Sequence, residues 1–411
     1  MASPLTVARF NSALKVLFPE KRLQQFGMED QPFWAYLPKQ TDFGGRNAEI
    51  PIQYSPGGDG NSHTFEDAQA GKGSAKYTHF VITRKRDYKI ISIDAEALEA
   101  SEGDKGAYLE ARKLEMEAAL THIVQQLGAD LQGDGTGFIA AIAAGGIAAN
   151  VITVGDADIT HFEPGMRIQT APSPGFAAVR AGVVGWMYVG TVDYDTNTIT
   201  IDPTQGGDSV AAYGAAALDR IYPKGNFGLS VSGTEAWIPT TRTGLATPFN
   251  QVVRSVFPSR LAGVFFNGST YGLAECFERA YARARKENCH PETVWINFNR
   301  FTDLSLELGA KAVREPVKLG EFAYDSIAMA VGGKKVRFMA DQNLPDTTAL
   351  CTTRDTWGFK SLKAAPRILT RDMGTDLLIE PAADGYEIRF GWRGELFCRR
   401  PGGNMRITLP T

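Results

Sequence analysis

The sequence is poor in the residues that build metal centres and disulfide frameworks. It has four cysteines, none in a C-x-x-C pair, and five histidines, none of them paired at zinc-ligand spacing. We therefore predict buried free thiols, no metal site and no cofactor. The cysteines are Cys276, Cys289, Cys351 and Cys398.

Long apolar runs and an excess of basic residues are also absent. No run of about 18 apolar residues could form a membrane-spanning helix, and the first residues lack the unbroken apolar stretch of a signal peptide. The formal net charge is −3, which disfavours sequence-specific DNA recognition. We expect no membrane partner, and a chain that stays in the cytoplasm unless a larger assembly carries it out.

The usual catalytic motifs are missing too. Gly71-Lys72-Gly73 lacks the hydroxyl residue that holds magnesium in a phosphate-binding loop. The run Gly135-x-Gly137-x-x-Ala140 follows a predicted helix instead of a strand, which disfavours dinucleotide binding. No G-x-S-x-G elbow and no H-E-x-x-H pair occurs. The prediction is that the chain is not an enzyme.

Glycine and proline are plentiful, at 43 and 21 residues, and two β-rich segments enclose a glycine-rich loop. Residues 46–54 alternate apolar and polar, and Pro51 within them predicts an edge strand. Residues 77–94 are also β-rich, and their apolar face changes side near Asp87, which predicts a bulge or a change of neighbour. With the loop 55–75, which carries no predicted secondary structure, these segments predict a projecting hairpin.

The rest of the chain alternates helical and β patterns. Residues 102–133 have apolar positions at three- and four-residue steps and predict one long helix, with Ser101 and Asp104 as its capping box. Residues 147–222 predict a small inserted β unit. Further elements are predicted as helices at 269–288 and 299–312 and as a two-sided strand at 386–392.

One basic cluster stands out near the end of the hairpin. Arg84, Lys85, Arg86 and Lys89 could face the phosphate backbone of DNA or an acidic patch on a neighbouring subunit. They could equally be a solvated strand face whose charges prevent edge-to-edge pairing. Both interpretations stay open at this point.

The order of these parts resembles the major capsid protein of tailed double-stranded DNA phages, the Hong Kong ninety-seven fold. Val151–Met166 is similar to the β insertions of some members, and Asp341–Asp346 precedes strands similar to the returning peripheral strands. The resemblance implies an α+β fold with an N-terminal arm (1–43), an extended hairpin loop (44–95), a peripheral domain with a spine helix (96–146), an inserted β domain (147–222), an axial domain (223–345) and returning peripheral-domain strands (346–411).

The function implied by this resemblance is a structural one. The chain would form pentamers and hexamers of an icosahedral head that encloses double-stranded DNA, in a virion assembled in the bacterial cytoplasm. The implied partners are further copies of the chain, a portal protein, a separate scaffolding protein, a decoration protein and the packaged DNA. An encapsulin-type compartment shell and a phage tail component are the alternatives.

Contacts between subunits are expected along the hairpin. Its apolar side chains, together with Phe43, are ones that we expect a single chain to leave uncovered. The expected contact residues are Ile50, Ile52, Tyr54, Phe65, Lys72, Lys76 and Phe80.

Overall fold

Three sheets and one separate hairpin organise the part of the chain that the structure describes. The structure is a computed structural model. It describes residues 31–58, 60–94, 105–173, 177–309, 313–319, 322–331, 333–369, 378–379 and 385–410. None of the helices within these ranges is long and apolar enough to cross a membrane.

The first sheet has six strands and lies against the long helix. Its strands are β1 (Lys39–Gln40), β4 (Lys85–Asp94), β18 (Trp357–Ser361), β19 (Arg367–Ile368), β20 (Leu378–Ile379) and β21 (Gly385–Cys398). The strand β21 lies at the centre and pairs with β4, β18, β19 and β20, while β1 runs parallel to β18.

The long helix α3 (Lys105–Gln132) fits the periodic pattern of the sequence. Its large described apolar side chains, among them Leu120, Leu127 and Leu131, are buried in the main core. The predicted helix at 102–133 is therefore confirmed, with ends that differ by a few residues. Its predicted capping box lies outside the described residues.

The segment before the hairpin is part of the core. Helix α1 (Pro32–Tyr36) is buried throughout. The ring of Phe33 meets that of Trp295 edge-on at 5.4 Å, and Trp34 meets Phe359 at 5.0 Å. The expected arm, 1–43, is therefore wrong for residues 31–43, because two large aromatic side chains per turn gain more by burial than by exposure. Residues 1–30 lie outside the described ranges.

The second sheet combines the middle and the end of the chain. Its strands are β12 (Val264–Asn267), β13 (Thr293–Ile296), β14 (Val313–Leu319), β15 (Phe322–Val331), β16 (Lys334–Ala340), β17 (Thr348–Thr352) and β22 (Met405–Thr408). They follow the order β12-β22-β17-β13-β16-β15-β14. The expected boundary at 346 is therefore wrong, because β17 and β22 lie inside the sheet of the segment that was expected to be axial.

Two helices cover this sheet. They are α6 (Leu273–Lys286) and α7 (Phe298–Leu308), which confirm the helices predicted at 269–288 and 299–312. The core beneath them is separate from the main core and contains Cys276, Cys289 and Cys351. All four cysteines are buried and free, as predicted. Burial raises the pKa of the Cys276 thiol to about 11, so this thiol stays protonated.

The third sheet is the inserted β unit. Its strands are β5 (Ala140–Ala141), β6 (Ile147–Ala148), β7 (Val151–Thr153), β8 (Arg167–Ala171), β9 (Met187–Asp193), β10 (Thr198–Ile201) and β11 (Arg220–Pro223), with helix α4 (Val210–Tyr213). All the buried residues of its core lie between Ile139 and Ile221. The predicted unit is confirmed as β, but it begins at Ala140 instead of 147 because β5 pairs with β11.

A buried polar network ties these parts together at the end of α3. Arg406 of β22 pairs with Glu235 and donates to Thr234 Oγ1 at 2.7 Å, both in helix α5 (Thr234–Trp237). Thr234 in turn donates to Gln132 Oε1 at 2.7 Å, and Gln132 donates to Asp341 at 2.7 Å. These hydrogen bonds, some of them charge-assisted, hold four distant segments in one arrangement.

Candidate interaction surface at the hairpin

The hairpin consists of β2 (Asn47–Ser55) and β3 (Lys76–Thr83), which pair antiparallel. Along β2 the side chains alternate as the sequence predicts, with Ile50 and Ile52 on the buried face and Pro51 on the exposed face. Within the described residues β2 pairs only with β3, so the predicted edge strand is confirmed.

The change of face near Asp87 is a change of neighbour. The chain leaves the hairpin at Arg84, and the next strand, β4, pairs with β21 of the six-stranded sheet. The expected hairpin boundary, 44–95, is therefore wrong at its end. Residues 85–94 belong to the six-stranded sheet instead of the hairpin, because they pair with β21.

The buried face of the hairpin packs on its own chain. Phe80 is 0% exposed, and its ring lies 5.0 Å from that of Trp237 and 6.3 Å from that of Phe249, both edge-on. Arg260 Nη1 donates to the carbonyl oxygen of Tyr54 at 2.7 Å. These contacts bury the apolar face of the hairpin, for which the sequence pattern indicated no covering segment within the chain.

The expected exposure of the hairpin's apolar residues is therefore corrected. Phe43, Ile50, Ile52 and Phe80 are buried within the chain, and Tyr54 is half-buried. Their side chains leave little surface for a neighbour. Phe65, Lys72 and Lys76 are exposed, and their expected role as contacts between subunits stays a prediction.

The tip of the hairpin contains a short helix that the sequence did not predict. Helix α2 (Phe65–Ala70) begins after Thr64, whose Oγ1 accepts from the Asp67 amide at 3.3 Å and donates to Asp67 Oδ2 at 2.6 Å. The spacing of this threonine and aspartate was the available signal. No residue of α2 is buried, and Phe65 is 79% exposed.

Glycines close the neck of the tip. Gly57 has φ +76°, and a Cβ at this position would lie 2.0 Å from the carbonyl oxygen of Ser74. The two sides of the loop can approach this closely only because no side chain stands between them. The narrow neck therefore separates helix α2 from the two strands of the hairpin.

The four basic residues near the hairpin base do not form one uniform surface. Arg84 Nη1 donates to the carbonyl oxygens of Phe43 at 3.1 Å and Gly45 at 3.3 Å, so it braces the base of the hairpin. Lys85 donates to the Gly228 carbonyl oxygen at 3.4 Å, and Lys89 is half-buried. Arg86 is the exposed member of the cluster.

A basic cleft of about 910 Å³ opens between the hairpin base, β4 and the loop at 225–230. We define its basic residues as the five cationic side chains that line it. They are Arg46, Arg84, Lys85, Arg86 and Arg393. The sequence pattern did not indicate Arg46 or Arg393, because the tertiary fold brings them to the cluster.

Three acidic side chains lie in or beneath this basic cleft. Burial raises the pKa of Asp87 to about 6 and that of Asp130 to about 7, and the Asp87 charge adds to the effect on Asp130. Burial likewise raises the pKa of Glu395 to about 8, although its Oε1 accepts from the Ser232 amide at 2.7 Å. Near neutral pH the basic side chains therefore dominate the cleft.

A second cavity, of about 230 Å³, lies between α3 and the inserted β unit. Two of the residues that line it are His122 and His161. Burial lowers the pKa of each imidazole to about 4, so both are neutral at physiological pH. Among the residues that the structure describes, no group of three or more His, Cys, Asp or Glu could hold a metal ion.

Comparison with known proteins identifies a solved structure of similar fold. No protein-family model and no curated protein matches the chain. Among solved structures, it matches a chain of the Cyanophage A-1(L) capsid asymmetric unit with a TM-score of 0.51, 11% identity and 93% of each chain covered. The α+β phage capsid fold expected from the sequence is thereby confirmed, and the low identity limits this conclusion to the fold.

Weaker likenesses are found in two further assemblies. A chain of Mycobacterium phage Bobi matches with a TM-score of 0.41 and 11% identity, over 91% of this chain and 89% of that one. A chain of the holo-SrpI encapsulin complex from Synechococcus elongatus PCC 7942 matches with a TM-score of 0.42 and 8% identity, over 97% and 94%.

Proposed function

We propose that this chain is the major capsid protein of a tailed phage, a non-enzymatic subunit that assembles with its own copies into a closed icosahedral shell of pentamers and hexamers. The carrying observation is the fold, which matches a cyanophage capsid chain over 93% of both chains. The proposed shell encloses double-stranded DNA and becomes the virion capsid after assembly in the bacterial cytoplasm.

The hairpin tip supports this proposal. Helix α2 is exposed on every side, and Phe65 is among the most exposed large apolar residues described. Exposed apolar surface often marks a site of interaction with another protein, and aromatic side chains are enriched in such interfaces. In a shell, neighbouring subunits are the partners available to every copy.

Other partners are part of the same proposal. They are a portal protein at one vertex, a separate scaffolding protein during assembly, a decoration protein on the outside and DNA bound without sequence specificity. The net charge of −3 fits DNA that is enclosed by the shell instead of bound across its whole surface.

Electron microscopy of the chain purified after expression with its neighbouring genes tests the proposal. We expect closed icosahedral shells, and shells from infected cells that contain DNA. Protein cargo inside the shells would indicate an encapsulin-type compartment, and helical tubes would indicate a tail component. A chain that stays monomeric under all assembly conditions would contradict the proposal.

A further inference from the structure

Two arginines of the basic cleft occupy directly opposite positions in the six-stranded sheet. Arg86 of β4 is the cross-strand partner of Arg393 of β21, and both side chains are exposed. Like charges placed directly opposite each other destabilise a sheet. Neither arginine forms an ion pair with a described residue, so the repulsion between them is not relieved by an acid of the chain.

The other three cations of the cleft also lack acidic partners. Arg46 is exposed at the hairpin base and forms no ion pair within the described ranges. Arg84 and Lys85 donate to backbone carbonyl oxygens, which are neutral groups. All five side chains therefore retain a positive charge that no ion pair balances.

A buried neutral donor accompanies these cations. Trp392 lines the cleft and is 2% exposed, and its indole Nε1 has no hydrogen-bond partner among the residues that the structure describes. A buried N–H group without an acceptor costs free energy, which an acceptor supplied by a ligand recovers. The cleft volume of about 910 Å³ lies within the range of small-molecule sites. The cleft therefore suits a small ligand that carries several negatively charged oxygens.

The arrangement of charge favours a compact anion over an extended one. The five cations come from residues 46, 84–86 and 393, three separate parts of the chain, yet they line a single cleft. Duplex DNA carries one charge per about 1.7 Å of its axis, so most of its phosphates would lie beyond this cleft. The formal net charge of −3 gives the whole chain no general attraction for DNA. A small polyanion, in contrast, places all its charge among the cations.

We propose that the basic cleft is a binding site for a compact, multiply charged oxyanion of the polyphosphate class, held chiefly by Arg86 and Arg393. Planar guanidinium groups suit this ligand because each donates two parallel hydrogen bonds to a pair of phosphate oxygens. The inference goes beyond the proposed function, because all the residues of the site belong to one copy of the chain. The bound anion neutralises the two opposed arginines, so it stabilises the folded chain.

Two acids of the cleft make this binding depend on pH. Asp87 and Asp130 line the cleft, and burial raises their pKa values to about 6 and about 7. The other charged groups near them are the five cations, Lys89 and the buried Glu395. A bound anion repels a carboxylate, so it raises both pKa values further and the chain takes up protons. By linkage, the affinity for an anion of constant charge increases as pH falls from 8 to 6.

Calorimetric titration of the full chain with inositol hexasulfate, at constant ionic strength, tests the proposal. This sulfate ester keeps its charge between pH 6 and 8, so any change of affinity with pH comes from the protein. Tripolyphosphate, added as a competitor, tests the phosphate class. The cleft variant is Arg86→Gln with Arg393→Gln. The control is Arg285→Gln with Lys363→Gln, two exposed cations outside the cleft.

We expect the wild type and the control to bind the hexasulfate equally, and the cleft variant to bind it roughly tenfold or more weakly. Tripolyphosphate should displace the hexasulfate from the wild type. Without ligand, the cleft variant should unfold at or above the wild-type temperature, because the repulsion between the two arginines is gone. Saturating ligand should raise the unfolding temperature of the wild type and of the control, but not that of the cleft variant.

The affinity of the wild type should increase by roughly fivefold or more from pH 8 to pH 6. Titrations in two buffers of different ionisation enthalpy should show proton uptake on binding. Asp87→Asn with Asp130→Asn should remove both the uptake and the dependence on pH. If this double variant does not fold, Asp87→Asn alone should take up fewer protons than the wild type.

Three outcomes would overturn the anion site. They are equal affinity of the cleft variant and the wild type, an equal loss of affinity in the cleft variant and the control, and binding of a short DNA duplex that neither polyanion displaces. The last outcome would assign the cleft to the nucleic-acid backbone. An affinity that stays constant from pH 8 to pH 6 would refute the role of the two acids. None of these results depends on shell formation, so the proposed function is tested separately.

Discussion

At the residue scale, burial distinguishes side chains that stabilise the fold from side chains that remain available to a partner. Phe80 and Phe65 belong to the same hairpin, yet Phe80 is enclosed by Trp237 and Phe249 while Phe65 stands in solvent. The apolar character of a phenylalanine is the same in both places. What differs is whether the chain itself supplies a covering surface.

This difference predicts opposite effects for two matched substitutions. Phe80→Ala should lower the free energy of unfolding by about 3–5 kcal/mol, because it removes a fully buried ring and leaves a cavity. Phe65→Ala should change it by about 0.5 kcal/mol or less and should reduce shell formation. Chemical denaturation and electron microscopy of both variants give the two measurements. A Phe65→Ala chain that unfolds as easily as Phe80→Ala would contradict the assignment.

The buried acid Glu395 predicts a pH dependence of stability. Its pKa is raised to about 8 in the folded chain and is about 4.3 when unfolded. The folded chain therefore holds this proton up to higher pH, so stability declines as pH rises from about 4.3 towards 8. His122 and His161, whose pKa values are lowered to about 4, oppose this decline below about 6.5.

Between pH 6.5 and 8 the acids Glu395 and Asp130 contribute this decline, whereas Lys39, whose pKa burial lowers to about 8, opposes it near pH 8. Glu395→Gln keeps an oxygen for the Ser232 amide and removes the ionisation. We expect its stability to decline less steeply than that of the wild type, by at most about 1.4 kcal/mol per pH unit, and its melting temperature to be higher at pH 8. Glu49→Gln, at an exposed position, is the control. Parallel pH profiles for Glu395→Gln and the wild type would refute the prediction.

At the element scale, the hairpin is a rigid base with a separate knob. The strands β2 and β3 are held against the rest of the chain by contacts of Phe80 and Arg260. Helix α2 has no buried residue. A base that is fixed and a tip that is free can carry a contact to a defined position.

Deleting residues 57–73 should separate folding from assembly. The neck brings Gly57 close to Ser74, so a two-residue Asn-Gly turn can join Pro56 to Ser74. We expect a folded chain whose melting temperature falls by only a few degrees, because no residue of α2 is buried. We expect no closed shells in electron micrographs.

A second chain controls for length. It replaces 57–73 by a glycine–serine segment of equal length, and it should also fail to assemble if the side chains of α2 make the contact. Normal shells from either variant would contradict the role of the tip.

At the scale of the whole molecule, the inserted β unit is a nearly independent body. Its core contains only residues from 139 to 221, and its seven strands pair among themselves. The chain enters and leaves at adjacent points, since the Gly228 amide donates to the Thr136 carbonyl oxygen at 2.7 Å. A unit with its own core and adjacent ends can be removed without cutting the core of its host.

Removal of residues 138–225, with a short glycine–serine link from Gly137 to Asn226, should therefore leave the other two sheets folded. Circular dichroism, thermal unfolding and limited proteolysis of the shortened chain check this expectation. The excised segment, expressed alone, should fold with a cooperative transition of its own. An unfolded or aggregated remainder would show that the insertion and the body share a core.

The sequence by itself determined the local elements. The three- and four-residue steps of 102–133 predicted α3, the alternation along 46–54 predicted β2, and short runs between turn residues predicted the inserted sheet. These patterns are sufficient because periodicity reports which side chains share a face. The order of the elements was also sufficient to indicate the capsid fold, which the cyanophage match confirms.

Only the tertiary structure decided what covers each face. It placed the apolar side of the hairpin on Trp237, joined β17 and β22 to the sheet of β12, and brought Arg393 opposite Arg86. Contacts between residues far apart in the chain leave no period in the sequence, so no local pattern could predict them. The candidate cleft exists for the same reason: its residues come from five separate segments and meet only in the folded chain.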